Sequence, residues 1–196
     1  MKIIAGLGNP GPSYETTRHN VGFLAIDTMI DAWKAEGPDI AYEGHIYEAH
    51  VGGEKVYLVK PMTYMNNSGK CVAPLMKFYK CQPEDLIVVY DEIDLKPRTI
   101  RIKTGGGSAG HNGIRSIDQH LGSPEYHRIR IGVGRPSPTA EGPRNAADYV
   151  LAQFSDEELE GLGPVLERVV LAAERMLKGD VDGAMGEFNR KPEGEE

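Results

Sequence analysis

The sequence predicts a single α/β domain, with a mixed β-sheet held between α-helices. Short apolar runs of strand length, Lys2 to Leu7 and Asp85 to Tyr90, are bounded by turn chemistry and read as strands buried on both faces. Segments with helically spaced apolar residues lie between the strand candidates, so the two kinds of element alternate along the chain. A Gly52-Gly53 pair between two further strand candidates adds a hairpin.

The first strand runs into GNPGPSYETTRHN, whose glycines and prolines forbid an immediate helix. Asn20 then stands where a cap belongs, and Val21 to about Ala35 carries Val21, Leu24, Ile26, Met29, Ile30 and Trp33 near helical spacing. Ile40 to Val51 and Lys55 to Lys60 read as strands joined by the Gly-Gly turn, and Pro61 stops the second. Ser68 to Lys80 is predicted helical, Asp85 to Tyr90 is a buried strand, and Thr99 to Lys103 alternates as a half-buried one. The glycine-rich stretch GGGSAGHNG fills residues 105–113, followed by a helix near 112–121 and a strand over Arg128 to Val133. The Pro-rich linker RPSPTAEGP leads to a helix over roughly 155–178 and a shorter one ending near Asn189. The domain is expected over 1–190, with 191–196 as a frayed tail.

At 196 residues, 40% hydrophobic and 26% charged, the chain matches a globular domain and excludes wholesale disorder. No uninterrupted apolar run nears the roughly 18 residues of a membrane helix. The start, MKIIAGLG, turns to Gly, Asn and Pro before a signal-peptide apolar region forms, and Cys71 and Cys81 cannot build a disulfide framework. A cytoplasmic protein without membrane association is expected. The net charge of -7 argues against a nucleic-acid partner, but the charge is segregated. Residues 96–135 hold Lys96, Arg98, Arg101, Lys103, Arg115, Arg128, Arg130 and Arg135 against Asp118 and Glu125, a local net of +6. Such a segment suits a phosphate-bearing ligand, and solvated strand faces are the alternative reading.

Ligands of open α/β folds gather at the carboxyl ends of strands. Those positions hold Asn9, Tyr14, Arg18, His19 and Asn20 after the first strand, and Met65, Asn66 and Asn67 after the hairpin. Asp91, Glu92 and Asp94 follow the buried strand, and His111 and Asn112 follow Lys103. The four loops converge if their strands are neighbours. His19 paired with Asp91 makes a general base whose tautomer a carboxylate fixes. No serine or cysteine occupies a nucleophile-elbow context, so water is the economical nucleophile. Asparagine amides supply donors for a developing oxyanion, although loop asparagines are commonly turn formers. The pattern is that of a hydrolase acting on a carbonyl. GLGNPG at 6–11 matches a dinucleotide fingerprint only formally, because Pro10 and Pro12 intervene before any helix. The glycine run lacks the GK[ST] ending of a P-loop, and the histidines and cysteines show no zinc spacing. Asp91, Glu92 and Asp94 could hold Mg²⁺, but orienting a base or facing solvent is the simpler role.

Five motifs in register resemble the bacterial peptidyl-tRNA hydrolase family: GLGNPGPSYETTRHNVGF (6–23), PMTYMNNSG (61–69), DEIDL (91–95), GGGSAGHNGIRSI (105–117) and HRIRIGVGRP (127–136). Tyr64 stands where Phe is common, and Ser108-Ala109 interrupts a glycine run that is often His-Gly or Ser-Gly. The resemblance implies a monomeric globule with a twisted mixed sheet between helices. It implies hydrolysis of the ester joining a peptide to the 3′ end of tRNA, which recycles tRNA from prematurely released chains. By the same resemblance His19 is the catalytic base, Asp91 orients it, and Asn9, Asn66 and Asn112 line the site beside Tyr14 and Met65. Lys103 and Arg130 are implied to grip tRNA phosphate near the acceptor stem. No metal and no organic cofactor are expected. A nucleotide-dependent oxidoreductase binding through GLGNPG and a non-catalytic RNA-binding module are the rival readings.

Overall fold

A computed structural model of the protein describes residues 1–138 and 141–190. The tail expected to fray, 191–196, lies outside the described residues. Seven strands form one sheet: β1 (Lys2–Gly6), β2 (Glu36–Ala41), β3 (Gly44–Val51), β4 (Glu54–Pro61), β5 (Leu86–Glu92), β6 (Ile100–Thr104) and β7 (His127–Gly132). Their order is β2-β3-β4-β1-β5-β7-β6. The central strands β4, β1, β5 and β7 are parallel, while β2, β3 and β6 add antiparallel edges. This is the predicted mixed sheet.

Side-chain alternation sorts the core into two layers. On β5, Ile87 and Val89 point to one face and Leu86, Val88 and Tyr90 to the other. The first face packs on α1 (Val21–Trp33), α5 (Asp156–Leu177) and α6 (Val181–Phe188). The second packs on α2 (Gly69–Phe78) and α3 (Asn112–Leu121). All seven residues of β5 are buried, as a central strand covered on both faces requires.

Three features depart from the sequence reading. The single strand expected over Ile40 to Val51 is two strands, because Tyr42 and Glu43 turn the chain with φ of 52° and 54°. Both are left-handed conformations that a two-residue hairpin turn needs, and neither residue is the Asn or Gly that usually announces one. A further short helix, α4 (Ala146–Leu151), lies where only linker was read. Its start is capped by Asn145, whose Oδ1 accepts from the Asp148 N–H at 2.8 Å. Finally, β6 runs antiparallel to β7, with Thr104 opposite His127, so its carboxyl end lies at the edge where β5 and β7 begin. The glycine-rich stretch therefore has to cross back before it can meet the other three loops.

The start of α1 is pinned over the tip of β1 by two glycines. A Cβ on Gly22 would sit 2.5 Å from both the Leu7 nitrogen and the Val89 carbonyl oxygen, and one on Gly6 would sit 2.2 Å from the Gly22 carbonyl oxygen. The three atoms nearest a Cβ on Gly22 are all backbone, so none is a flexible side chain that could yield. Gly22→Ala should lower unfolding stability by about 1–3 kcal/mol, the cost of overpacking a tight contact, as read from the urea midpoint. An unchanged midpoint would mean that the helix can lift away from the strand at no cost.

Candidate active site

The carboxyl ends of β4, β1 and β5 lie side by side, and the loops that follow them meet above the sheet. Asp91 is the sixth residue of β5 and is buried. His19 sits in a single 3₁₀ turn, Arg18–Asn20, directly before α1. Its Nδ1 lies 2.8 Å from Asp91 Oδ2. On the other oxygen of the same carboxylate, His111 Nε2 lies 2.9 Å from Oδ1.

The proton positions follow from the network. His111 caps α3, its Nδ1 accepting from the Ile114 N–H at 3.3 Å, so its Nε2–H donates to Asp91. An ionised carboxylate only accepts, so His19 also presents Nδ1–H to Asp91 and keeps Nε2 as its acceptor. Burial works to raise the Asp91 carboxyl, but the charges and hydrogen bonds of His19 and His111 outweigh it and hold it well below the usual carboxylate range. Burial works to lower His19, but the charge of Asp91 and its hydrogen bond prevail, leaving His19 above its ordinary 6.5.

Asn9 is fixed from three sides. Its Oδ1 accepts from the Met65 N–H at 2.7 Å, while Asn20 Oδ1 accepts from the Asn9 N–H at 2.8 Å and Asn20 Nδ2 donates to the Asn9 carbonyl at 2.9 Å. With Oδ1 occupied, the two Nδ2 protons are the donors Asn9 has left to offer. Asn20, expected as a helix cap, makes no capping bond and is buried as a clamp on Asn9 instead. Tyr64 adopts φ 64° and ψ 154°, a conformation costing a non-glycine residue roughly 1–3 kcal/mol, and it sets the turn that begins with Met65.

These groups open onto a cavity of about 530 Å³. Asn9, Tyr14, His19, Met65, Asn66, Asp91 and Asn112, all predicted from sequence, line it together. Lining residues that the sequence reading did not assign a role include Tyr64, His111 and the α4 wall of Ala146, Ala147, Val150 and Leu151. Asn66 and Asn112 are exposed, and Asn112 Oδ1 accepts from Arg115 at 3.4 Å. The α4 wall is tied to the histidine turn through Arg18, which makes a paired contact to Glu158 at 2.7 and 3.0 Å and stacks 4.0 Å above the Tyr149 ring. The Asn145-to-Asp148 cap spacing was the one signal in the sequence that could have revealed that wall. The nitrogen and oxygen donors of His19, Asp91 and His111 lie within 4.8 Å of one another, a set that could hold a metal ion. Each Asp91 oxygen already accepts an imidazole N–H, so the arrangement is complete as a hydrogen-bonded relay.

A family model described as peptidyl-tRNA hydrolase matches residues 3–196. The chain belongs to the peptidyl-tRNA hydrolase family. The peptidyl-tRNA hydrolase of Bacillus subtilis is 47% identical over 191 residues, spanning 97% of this chain and 100% of the relative. That of Aquifex aeolicus is 43% identical over 191 residues, with 97% of each chain covered. A crystal structure of the Acinetobacter baumannii peptidyl-tRNA hydrolase superposes with a TM-score of 0.88 at 36% identity, covering 96% of this chain and 94% of that one. The two rival readings, built on GLGNPG or on the basic segment alone, give way to this membership.

In this member of the family the basic segment divides. Arg128 is fully buried, and Arg135 is paired with Asp94. Lys103 and Arg130 do not line the cavity. Arg130 stands 3.7 Å from Glu92, which does line it, and Lys103 Nζ donates to the Gly107 carbonyl at 3.4 Å. The register places Arg101 opposite Arg130 and Lys103 opposite Arg128, so four cations share one face of β6 and β7. Burial lowers the Lys103 ammonium, and Arg128 and Arg130 lower it further.

A base works in its neutral form, whose fraction rises with pH, so a raised His19 moves the acid limb of kcat/KM upward. The limb should have its midpoint above 6.5 in the wild type and below 6.5 in Asp91→Asn, where the carboxylate's charge is gone and burial prevails. Equal midpoints in the two proteins would remove Asp91 as the group that tunes His19.

Proposed function

We propose that the protein hydrolyses the ester joining a peptide, or an N-blocked amino acid, to the 3′ end of tRNA, and so recycles tRNA from prematurely released peptidyl-tRNA. The observation that carries the mechanism is His19 held on Asp91 through Nδ1, with Nε2 left as an acceptor beside the fixed Asn9 amide. In the reading, water attacks the ester carbonyl carbon as His19 Nε2 takes its proton. The carbonyl π electrons move onto oxygen, and the Nδ2 donors of Asn9 or Asn66 meet the oxyanion. The tetrahedral intermediate collapses, the bond to the ribose oxygen breaks, and that oxygen takes the proton back from His19. The products are a free peptide acid and tRNA with its terminal hydroxyl restored.

Asn66 and Asn112 are the groups proposed to read the first peptide bond of the substrate, with Tyr14 and Met65 beside them. Lys103 and Arg130 are proposed to hold backbone phosphate near the acceptor stem. Arg101, Lys103 and Arg130 hold like charges on adjacent strands, and a bound phosphate converts their repulsion into attraction. Every group in the scheme comes from one chain, in keeping with a monomer, and a substrate made on the ribosome places the work in the cytoplasm. No step calls for a metal or an organic cofactor.

The direct experiment is release of free tRNA from N-acetyl-aminoacyl-tRNA, with unblocked aminoacyl-tRNA as control. His19→Ala should lose about 10²- to 10⁴-fold in kcat, the usual contribution of a general base, and the unblocked ester should survive both proteins. Wild-type turnover by His19→Ala would sink the scheme. Lys103→Ala and Arg130→Ala should raise KM with kcat little changed, each reducing the slope of log KM against log salt by about one. A slope identical to wild type would move the phosphate contact elsewhere.

A further inference from the structure

Arg128 is the largest fully buried side chain of the protein among the described residues, and no step of the mechanism uses it. Its guanidinium donates from Nη1 to the Gly107 carbonyl at 2.8 Å and from Nη2 to the Gly106 carbonyl at 3.0 Å and the Pro124 carbonyl at 3.3 Å. Asp118 stands 3.5 Å from Nη2, and the Tyr126 ring lies 4.7 Å beneath the charge. Taking a cation wholly out of water is costly, so a fully buried guanidinium needs several acceptors that meet it at once. Two of these acceptors belong to the glycine stretch, whose residues 105–111 lie between β6 and α3 and belong to neither. Gly105, Gly106, Ala109 and Gly110 all adopt positive φ there.

That stretch has one task that the fold does not otherwise perform. Because β6 ends at the far edge of the sheet, residues 105–111 must carry the chain back to the tip of β5 and deliver His111 onto Asp91. Arg128 holds the middle of this crossing. At the far end of the crossing, the Tyr90 ring meets His111 edge-on at 4.9 Å. We propose that Arg128 is a positioning residue for the hydrolysis: by fixing the 105–110 loop it sets His111 on Asp91, and through that carboxylate it sets His19. The inference rests on the reading of His19 and Asp91 as base and orienter.

A double-mutant cycle separates this role from a purely structural one. Lysine keeps the charge but cannot bridge the three carbonyls, and asparagine at 111 keeps a helix-capping side chain while losing the imidazole. Arg128→Lys should lower kcat about tenfold with KM within about twofold of wild type, whereas in a His111→Asn background the same change should cost about twofold or less. Costs that multiply would overturn the proposal, because Arg128 would then act independently of His111. If Arg128→Lys shows no cooperative thermal transition above the assay temperature, Asp118→Asn takes its place in the cycle. It removes the negative charge beside the guanidinium, and its cost must likewise vanish in the His111→Asn background. Failure of the underlying scheme has its own signature, full turnover by His19→Ala, so the two outcomes cannot be confused.

Discussion

Everything in the site depends on one carboxylate accepting from two imidazoles. Asp91 is buried at the tip of a strand covered on both faces, where an unpaired negative charge would be very costly. Two charge-assisted hydrogen bonds, at 2.8 and 2.9 Å, offset that cost and use both oxygens. The same bonds determine what the site can do. They turn the protonated nitrogen of His19 away from the cavity, leave its other nitrogen as a base, and raise its proton affinity. A free histidine on a loop would have neither a fixed tautomer nor a fixed direction.

Meeting that constraint shapes the fold around it. His19 must reach the tip of β5 from the end of β1, which requires the two strands to be neighbours and α1 to begin almost on top of them. The Gly6 and Gly22 contact provides that closeness. His111 must reach the same point from a strand that ends at the wrong edge, which requires a loop of unusual backbone and something to hold it. Arg18 extends the arrangement outward: its contacts with Glu158 and Tyr149 fasten the α4 wall to the turn that carries His19. The wall of the cavity and the His19 imidazole inside it are therefore placed by adjacent residues.

The sequence made some of this legible and hid the rest for physical reasons. Long periodic signals survived: β5 as an apolar run, α1 and α5 as helically spaced stripes, and the Gly52-Gly53 hairpin. His19, Asp91 and Asn9 were readable because they gather at the carboxyl ends of β1 and β5, strands that turn out to be parallel neighbours. Tyr42 and Glu43 form a turn without turn-forming residue types, so the β2–β3 break left no mark. The six residues of α4 are too few for periodicity to register. Asn20 occupies a cap position yet spends both ends of its amide on Asn9, a tertiary choice that local pattern cannot show. Arg128 was counted with the surface charges because burial of an arginine depends on carbonyls 4 to 22 residues away in sequence. The direction of β6 was equally invisible, since a half-buried alternation reads the same whichever way the strand runs.

The most direct test of the central claim is a ¹⁵N-histidine NMR titration of His19 in the wild type and in Asp91→Asn. The account predicts that neutral His19 carries its proton on Nδ1 and titrates above 6.5 in the wild type, and that the titration falls below 6.5 when Asp91 is replaced. A neutral His19 protonated on Nε2 would contradict it, because the lone pair needed to deprotonate water would then point at the carboxylate.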